Sequence, residues 1–267
     1  MNMLLMLPVR LKETNNVFYC PDLGLGYLAT ALRSKFAQRI NTRLLVNNLI
    51  LTDEEFKQYL LEGNFGIIGI KVFSSNVSDA KRTIKLIRET SRDIKIIVGG
   101  PHATGDPEHI LNYIPADYGF CGEAEIGLPR LVEFLLGDIR DDSFDNILSK
   151  IPGLIWRQRN GVTVNEAQAV DDLDSIGMPA WDLMRPSDFP PSSFSLFSRN
   201  RILASIIFSR GCPYRCTFCG NRMMKFRERS VGNVIKEIRL LNSEFGIKEF
   251  SVVVGGFSYR SGYIYGN

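Results

Sequence analysis

Short apolar runs alternate with amphipathic stretches from residue 1 to about residue 137, and this alternation constrains the fold more than any other feature. Apolar runs that alternate with helical patterns predict a parallel sheet covered by helices on both faces. The predicted strands are Met3–Val9, Thr42–Val46, Gly66–Val72, Ile94–Val98 and Asp117–Cys121. The predicted helices are Gly24–Ala37, Asp53–Glu62, Val77–Ser91, Pro107–Tyr113 and Glu125–Leu136.

The five βα units fit an α/β, flavodoxin-like (Rossmann-like) sheet with strand order 2-1-3-4-5. Helix starts support these boundaries, since Thr52 with Glu55 forms a capping box and Asp106 before Pro107 is a second predicted cap. In this topology ligands bind at the carboxyl ends of the strands, beside the switch point between strands 1 and 3.

The segments that follow strands 3, 4 and 5 are rich in small and hydroxyl residues. They are Ser74-Ser75-Asn76, Gly99-Gly100-Pro101-His102-Ala103-Thr104 and Gly122-Glu123-Ala124-Glu125. Glycine allows a ligand to approach the backbone closely, so the three segments together predict a binding edge. A single Gly-Gly pair after a strand is equally consistent with a plain turn.

Three of the five cysteines, Cys212, Cys216 and Cys219, lie in one loop at CxxxCxxC spacing. Three thiolates that follow an apolar strand can converge on one metal centre. A 4Fe-4S cluster normally takes four cysteines, so a triad leaves one iron open to a ligand that is not protein. A zinc site or a group of reduced thiols is the alternative, although zinc ribbons usually show paired CxxC motifs.

The triad resembles the motif of the radical S-adenosylmethionine (SAM) enzymes, with an aromatic residue, Phe218, before the last cysteine. The flanks Ser209-Arg210-Gly211 and Arg227-Glu228-Arg229-Ser230 also resemble that family. The resemblance implies a 4Fe-4S cluster held by the three cysteines, SAM bound at the open iron beside Phe218, and reductive cleavage of SAM to a 5′-deoxyadenosyl radical. It also implies a small-molecule substrate and an electron donor such as flavodoxin or ferredoxin.

The upstream sheet resembles the cobalamin-binding domain that precedes the barrel in many radical SAM enzymes. The resemblance implies that the three strand-end segments contact cobalamin. The implied contacts are Ser74, Ser75, Gly99, Gly100, Pro101, His102, Thr104, Gly122 and Glu123. No DxHxxG motif follows strand 1, so the resemblance implies cobalamin bound base-off, with no histidine on cobalt. His102 is predicted near the nucleotide tail, or as an ordinary loop residue, and Cys20 and Cys121 as small buried hydrophobes.

The remaining chain divides into three predicted parts. Gly153–Arg157 and Val162–Val164 form a hairpin appendage through Asn160-Gly161, and Asp171–Arg201 is a proline-rich linker. Beyond it, strand Ile202–Phe208, helix Val231–Phe245 and strand Lys248–Val254 begin a barrel. Predicted domain bounds are 1–140 for the cobalamin-binding domain, 141–201 for hairpin and linker, and 202–267 for an incomplete radical SAM domain.

We expect the chain to be truncated or frame-shifted, because a barrel needs about six βα units of roughly 30 residues each. The family's acidic pair after the second strand is also replaced here by Val254-Gly255-Gly256-Phe257. Two functions follow. One is a cobalamin-dependent radical SAM enzyme, most often a methyltransferase, that is inactive as a fragment. The other is a corrinoid-binding module without catalysis.

Charge and cysteine content restrict the expected partners and cellular location of the protein. The net charge is only +3 and is scattered along the chain, so no electrostatic footprint for nucleic acid or membrane is predicted. Met1–Pro8 is too short for a signal-peptide core, and no run reaches the transmembrane length of about 18 residues. An odd number of cysteines with metal-type spacing predicts a reducing, cytoplasmic location.

Overall fold

The computed structural model describes residues 1–9, 21–46, 52–139, 143–189, 202–219 and 224–253. The chain divides into two compact units. We call the first the sheet unit; it comprises Met1–Phe18, Gly24–Val170 and Pro179–Met184. We call the second the cysteine unit; it comprises Tyr19–Leu23, Asp171–Met178 and Arg185–Asn267. The domain bounds expected from the sequence remain a prediction.

Seven strands form one mixed sheet in the sheet unit. They are β1 (Asn2–Met6), β2 (Asn41–Leu45), β3 (Phe65–Lys71), β4 (Lys95–Gly99), β5 (Tyr118–Phe120), β6 (Leu154–Gln158) and β7 (Gly161–Val164). Their order is β2-β1-β3-β4-β5-β6-β7, with parallel pairing from β2 to β5 and antiparallel pairing beyond. The predicted flavodoxin-like order of the first five strands is therefore confirmed.

The sheet has two more strands than predicted, because the hairpin continues it instead of standing apart. Gly119 and Phe120 of β5 pair with Ile155 and Leu154 of β6. The backbone N–H of Cys121 also donates to the Gly153 carbonyl at 2.9 Å. Pairing satisfies the backbone groups that β5 would otherwise expose as an edge strand.

Eight helices among the described residues belong wholly or mainly to the sheet unit. They are α1 (Leu23–Phe36), α2 (Asp53–Gly63), α3 (Val77–Thr90), α4 (Pro101–Gly105), α5 (Ile110–Tyr113), α6 (Gly127–Leu135), α7 (Phe144–Leu148) and α8 (Trp181–Met184). The Thr52–Glu55 capping box at the start of α2 is confirmed in both directions. Helices on both faces bury β1 and β3 almost completely, as their continuous apolar sequences predict.

The segment after β4 differs from its prediction in two ways. Residues 101–105 form α4 where a loop was expected, and the helix expected from Pro107 begins only at Ile110. The Asp106 carboxylate does not cap a helix, because its oxygens lie 2.8 Å from His109 Nδ1 and from the Tyr113 hydroxyl. The predicted cap at Asp106 is therefore wrong.

The cysteine unit contains two small sheets and one long helix among its described residues. Its elements are β8 (Leu203–Ile207), β9 (Ser209–Arg210), β10 (Arg227–Glu228), α9 (Val231–Phe245) and β11 (Glu249–Val253). Strands β8 and β11 pair in parallel, and β9 and β10 pair in antiparallel fashion. The helix predicted at Val231–Phe245 is confirmed, including Gly246 at its left-handed end.

One face of α9 differs from the sequence prediction. Val234 and Leu241 are buried as expected, but Val231 and Ile235 are exposed, and Glu237 is fully buried in their place. A buried carboxylate requires a partner, and Arg229 provides it. The apolar period of the helix therefore predicted its existence but not its buried face.

Candidate functional site

The carboxyl ends of β3, β4 and β5 lie side by side in the sheet unit and bring the three predicted segments to one edge. We call this the carboxyl edge; it comprises residues 74–76, 99–104 and 122–125. Ser74, Ser75, Pro101, Thr104 and Gly122 are exposed there. Exposed hydroxyls and glycine on adjacent strand ends provide polar groups and close backbone approach for a ligand.

Gly100 forms a tight turn on the carboxyl edge. Its φ is +96°, and a Cβ at this position would lie 2.8 Å from Lys71 Cγ and 3.0 Å from the Val72 carbonyl oxygen. The N–H of Val72 donates to the Gly99 carbonyl, and the N–H of His102 donates to the Val72 carbonyl at 3.1 Å. Only glycine fits this position, so the turn that carries His102 is fixed against β3.

Thr104 joins the segments after β4 and β5. Its hydroxyl donates to the Gly100 carbonyl and accepts from the Gly122 N–H, both at 3.0 Å. Glu123 binds a different backbone group, since its carboxylate accepts a hydrogen bond from the Val170 N–H at 3.2 Å. Thr104 and Glu123 therefore shape the edge, and their contact with a ligand stays a prediction.

His102 lies at the centre of a hydrogen-bonded group on this edge. Its Nδ1 is 3.0 Å from the Ser74 hydroxyl, and its Nε2 is 2.8 Å from the Tyr113 hydroxyl. Sequence reasoning selected Ser74 and His102 but missed Tyr113 and Asp106, which belong to a different turn of the chain. No local pattern places these two residues at the site, since only the folded path from α4 to α5 brings them to the ring.

Cys121 follows β5 and is buried, as predicted. Burial raises the pKa of its thiol, and the sulfur lies 3.9 Å from the Asn165 carbonyl oxygen. A protonated, buried thiol is a poor nucleophile and metal ligand. Cys20 and most of the loop after β1, where a DxHxxG motif was sought, lie outside the described residues.

The three cysteines of the triad lie in one loop of the cysteine unit. We call residues 211–226 the triad loop. The β9–β10 pair closes its base, with Arg210 opposite Arg227. Gly211 has φ +78°, and a Cβ there would lie 2.2 Å from the Lys225 carbonyl oxygen. The N–H of Cys212 donates to the Met224 carbonyl at 3.3 Å, so glycine and a backbone bond hold the neck closed.

The thiols themselves are accessible. Cys216 is exposed, Cys212 and Cys219 are half-buried, and none of the three forms a disulfide. Within the described part of the chain, no three His, Cys, Asp or Glu side chains are gathered as metal ligands. The donor chemistry fits an iron–sulfur cluster, because three free thiols share one closed loop. Phe218 is 91% exposed beside Cys219.

A buried ion pair supports the neck of the triad loop. Arg229 and Glu237 side chains are each 1% exposed and form a salt bridge. The Arg229 guanidinium also donates to the Ile207 carbonyl at 2.9 Å and to the Asn233 side chain. Its backbone N–H donates to the Phe208 carbonyl at 2.9 Å. Arg229 thus connects the end of β8 to α9 immediately beyond β10.

Family models match both halves of the chain. The B12 binding domain matches residues 14–132, and the Radical SAM superfamily matches residues 206–265. The chain thus matches a B12 binding domain in its first part and a radical SAM domain in its last part. The predicted resemblance is confirmed, and the carboxyl edge lies within the residues that match the first model, whereas the triad loop lies within those that match the second.

Similar proteins include several methyltransferases. An uncharacterized methyltransferase, PH0819 of Pyrococcus horikoshii, is 28% identical over 89% of this chain and 49% of the relative. Cytidylyl-2-hydroxyethylphosphonate methyltransferase of Streptomyces wedmorensis is 26% identical over 76% of this chain and 42% of the relative. The chain therefore spans less than half of the length of each of these two relatives.

Solved structures share the fold. The cobalamin-dependent SAM radical enzyme OxsB, with aqua-cobalamin and SAM bound, is 23% identical, with a TM-score of 0.75 over 96% of this chain and 34% of its own. The radical SAM methyltransferase TsrM of Kitasatospora setae, with cobalamin and a [4Fe-4S] cluster bound, is 21% identical, with a TM-score of 0.68 over 96% and 48%. In the described part of this chain, no helix has both the length and the apolar composition to cross a membrane.

Proposed function

We propose that this chain carries the cobalamin-binding and cluster-binding parts of a cobalamin-dependent radical SAM methyltransferase. The observation that carries the proposal is the presence of both an exposed hydroxyl-and-glycine edge and a closed three-cysteine loop in one chain. The similarity to methyltransferases over most of this chain supports the reaction class.

Cys212, Cys216 and Cys219 would hold the cluster in this proposal, with Phe218 beside the SAM site. Ser74, Ser75, His102 and the backbone turns at Gly100 and Gly122 would hold cobalamin. When bound, the reduced cluster supplies the electron that cleaves SAM, and cobalamin supplies the methyl group.

The chain's own contribution is to position these groups. Gly211 and the β9–β10 pair keep the two ends of the triad loop together, so the three thiols stay on one short segment. Thr104 and Gly100 fix the carboxyl edge against β3 and β5. A small-molecule substrate, an electron donor such as flavodoxin or ferredoxin, and a reducing cytoplasmic setting belong to the same proposal.

Iron binding by the triad tests the cluster assignment. Protein reconstituted anaerobically with iron and sulfide should hold about four irons per chain. A variant with Cys212, Cys216 and Cys219 all changed to Ala should lose them, while Cys121→Ala, the matched control from the B12-binding domain, should keep them. Full iron content in the triple variant would exclude the cluster, and stoichiometric zinc in the wild type would favour a zinc site.

Cobalamin binding tests the carboxyl edge separately. A bulky side chain at exposed Ser75 should block the edge, so Ser75→Trp should raise the dissociation constant by at least about tenfold. Lys85→Trp adds the same bulk on α3, where the Lys85 side chain is 76% exposed, and should leave binding unchanged. Equal binding by both variants in equilibrium dialysis would show that cobalamin does not bind at this edge.

A corrinoid-binding module without catalysis is the second candidate. The chain spans less than half of the methyltransferases it matches, and this favours a module that lacks the rest of the barrel. Cleavage of SAM by the reconstituted, reduced protein discriminates the two. Cobalamin binding together with full iron occupancy and no SAM cleavage would favour the second candidate.

A further inference from the structure

A hydrogen-bonded relay leads from the exposed carboxyl edge to Asp106. The Ser74 hydroxyl contacts His102 Nδ1 at 3.0 Å, His102 Nε2 contacts the Tyr113 hydroxyl at 2.8 Å, and that hydroxyl contacts Asp106 Oδ2 at 2.8 Å. The four residues come from the turn after β3, from α4, from α5 and from the connection between these helices. The direction of each hydrogen bond depends on its neighbour in the relay.

Asp106 sets the direction at one end. An ionised carboxylate only accepts hydrogen bonds, and a tyrosine has a single O–H to donate. Tyr113 therefore donates to Asp106, and its oxygen must accept from His102. His102 Nε2 carries the proton, so in the neutral ring Nδ1 is an acceptor and receives the Ser74 O–H.

The protonation states at this end favour that direction. Hydrogen bonds from Tyr113 and then from His109 hold the pKa of Asp106 below its ordinary value. Burial, together with the hydrogen bond to Asp106, raises the pKa of Tyr113 to about 12. At neutral pH the carboxylate is thus ionised and the phenol keeps its proton.

We propose that the relay makes Ser74 a hydrogen-bond acceptor toward any ligand on the carboxyl edge, so that this position selects ligand N–H or O–H groups. The inference deepens the proposed function, on which its ligand part rests. Cobalamin offers such donors in two places, the amides around the corrin ring and the sugar hydroxyls of the nucleotide tail. Tyr113 and Asp106 become positioning residues, because they act through His102 and Ser74.

The second histidine provides an internal contrast. His109 Nδ1 lies 2.8 Å from Asp106 Oδ1, and a carboxylate can only accept. The proton of neutral His109 is therefore on Nδ1, whereas that of His102 is on Nε2. The chain contains only these two histidines, so only two sets of ring signals need to be assigned.

Nitrogen NMR of the cofactor-free protein tests the direction of the relay. With ¹⁵N-labelled histidine, at a pH about two units above the ordinary histidine pKa of about 6.5, His102 should appear as the Nε2–H tautomer and His109 as the Nδ1–H tautomer. His109→Gln assigns the two sets of signals. An Nδ1–H form of His102, or a free mixture of its tautomers, would overturn the relay.

A variant pair separates the relay from a general effect on the fold. Tyr113→Phe keeps the ring and removes the oxygen, so His102 should become a mixture of tautomers while His109 keeps its own. Tyr118→Phe, a change of the same kind on β5, should leave both rings as in the wild type. An unchanged His102 tautomer in Tyr113→Phe would contradict the role of Tyr113.

Corrinoid titration tests the ligand part. Ser74→Ala should weaken cobalamin binding by about three- to tenfold, the range for one lost hydrogen bond, and Ser78→Ala on the exposed face of α3 should not. Cobinamide lacks the nucleotide tail and so distinguishes the donors. An effect kept with cobinamide assigns a side chain of the corrin ring, and an effect lost with it assigns a tail hydroxyl.

The outcomes distinguish the inference from the proposed function. If the wild type binds neither corrinoid, the proposed function fails, and the NMR experiment still decides whether Ser74 is an acceptor. If the wild type binds cobalamin and Ser74→Ala binds equally well, the ligand part of the inference fails alone.

Discussion

The two units differ in the side chains that they bury. The sheet unit buries aliphatic strands, with Leu4, Ile68 and Ile96 fully inaccessible in adjacent strands. The cysteine unit buries a charged pair, Arg229 with Glu237, beneath the neck of the triad loop. An apolar core resists small changes of shape, whereas a buried ion pair fails when one partner is lost. The scaffold of the triad loop therefore depends on one charged pair, whereas the strands that carry the carboxyl edge depend on general packing.

Loss of Glu237 should have the largest effect. Glu237→Leu leaves the Arg229 guanidinium buried without a counter-ion, so the free energy of unfolding of the cysteine unit should fall by about 3–5 kcal/mol. Native-state hydrogen exchange in α9 measures the loss. Both tryptophans of the chain, Trp156 and Trp181, lie in the sheet unit, so the unfolding transition seen by fluorescence should not move.

A double variant distinguishes charge from volume at the same position. Arg229→Met with Glu237→Leu removes both charges and should recover much of the lost stability, although the Ile207 carbonyl then loses a donor. Lys236→Leu, on the exposed side of α9, is the control for a charge-to-leucine change. A loss below about 1 kcal/mol in Glu237→Leu alone would show that the pair does not hold this unit.

A shortened core side chain should have an intermediate effect on the other unit. Ile68 is fully buried between Leu4 and Ile96 in the sheet register. Ile68→Val removes one methylene and should lower the free energy of unfolding by about 0.5–1.5 kcal/mol, measured by tryptophan fluorescence in urea. Leu61→Val, where Leu61 is 62% exposed, should change little. A larger change at Leu61 would contradict the comparison.

The smallest effect should come from a surface ion pair of the sheet unit. The hydrogen bond from Arg33 lowers the pKa of Asp182, and the Asp182 side chain is 62% exposed. A lowered pKa contributes stability above the unfolded value of about 3.9, and this stability is lost as the pH falls through the folded value. The contribution should stay below about 1 kcal/mol. The stability difference between wild type and Arg33→Met should shrink on acidification. A difference that stays constant with pH would show that the Arg33–Asp182 pair does not contribute to stability.

The sequence predicted the sheet unit better than the cysteine unit for a physical reason. Alternating apolar runs and capped helices contain enough local information for five strands and their order. The hairpin's attachment to β5 depends on backbone bonds such as Cys121 to Gly153, which no local pattern encodes. Burial of Glu237 likewise depends on Arg229, whose position beneath α9 follows from the path of the chain.

Among the site residues, too, local sequence patterns predicted some positions, and only tertiary contacts revealed the others. The cysteine spacing predicts the triad, and the glycine and serine positions predict the carboxyl edge; the ligands of both stay predictions. Tyr113 and Asp106 could not be found in this way, because their importance comes from the His102 ring between them and the edge. Only tertiary contacts reveal the direction of that relay.

The closed neck of the triad loop makes the loop separable from its scaffold. Arg210 and Arg227 face each other across an antiparallel pair, so the entry and exit of the loop lie about 5 Å apart whatever the loop contains. When a loop between fixed ends is lengthened, the entropic cost of closing it rises only slowly. Related chains could therefore insert, delete or exchange residues inside this loop during evolution without moving β8 or α9, and the same neck offers a place to transplant thiol loops by design.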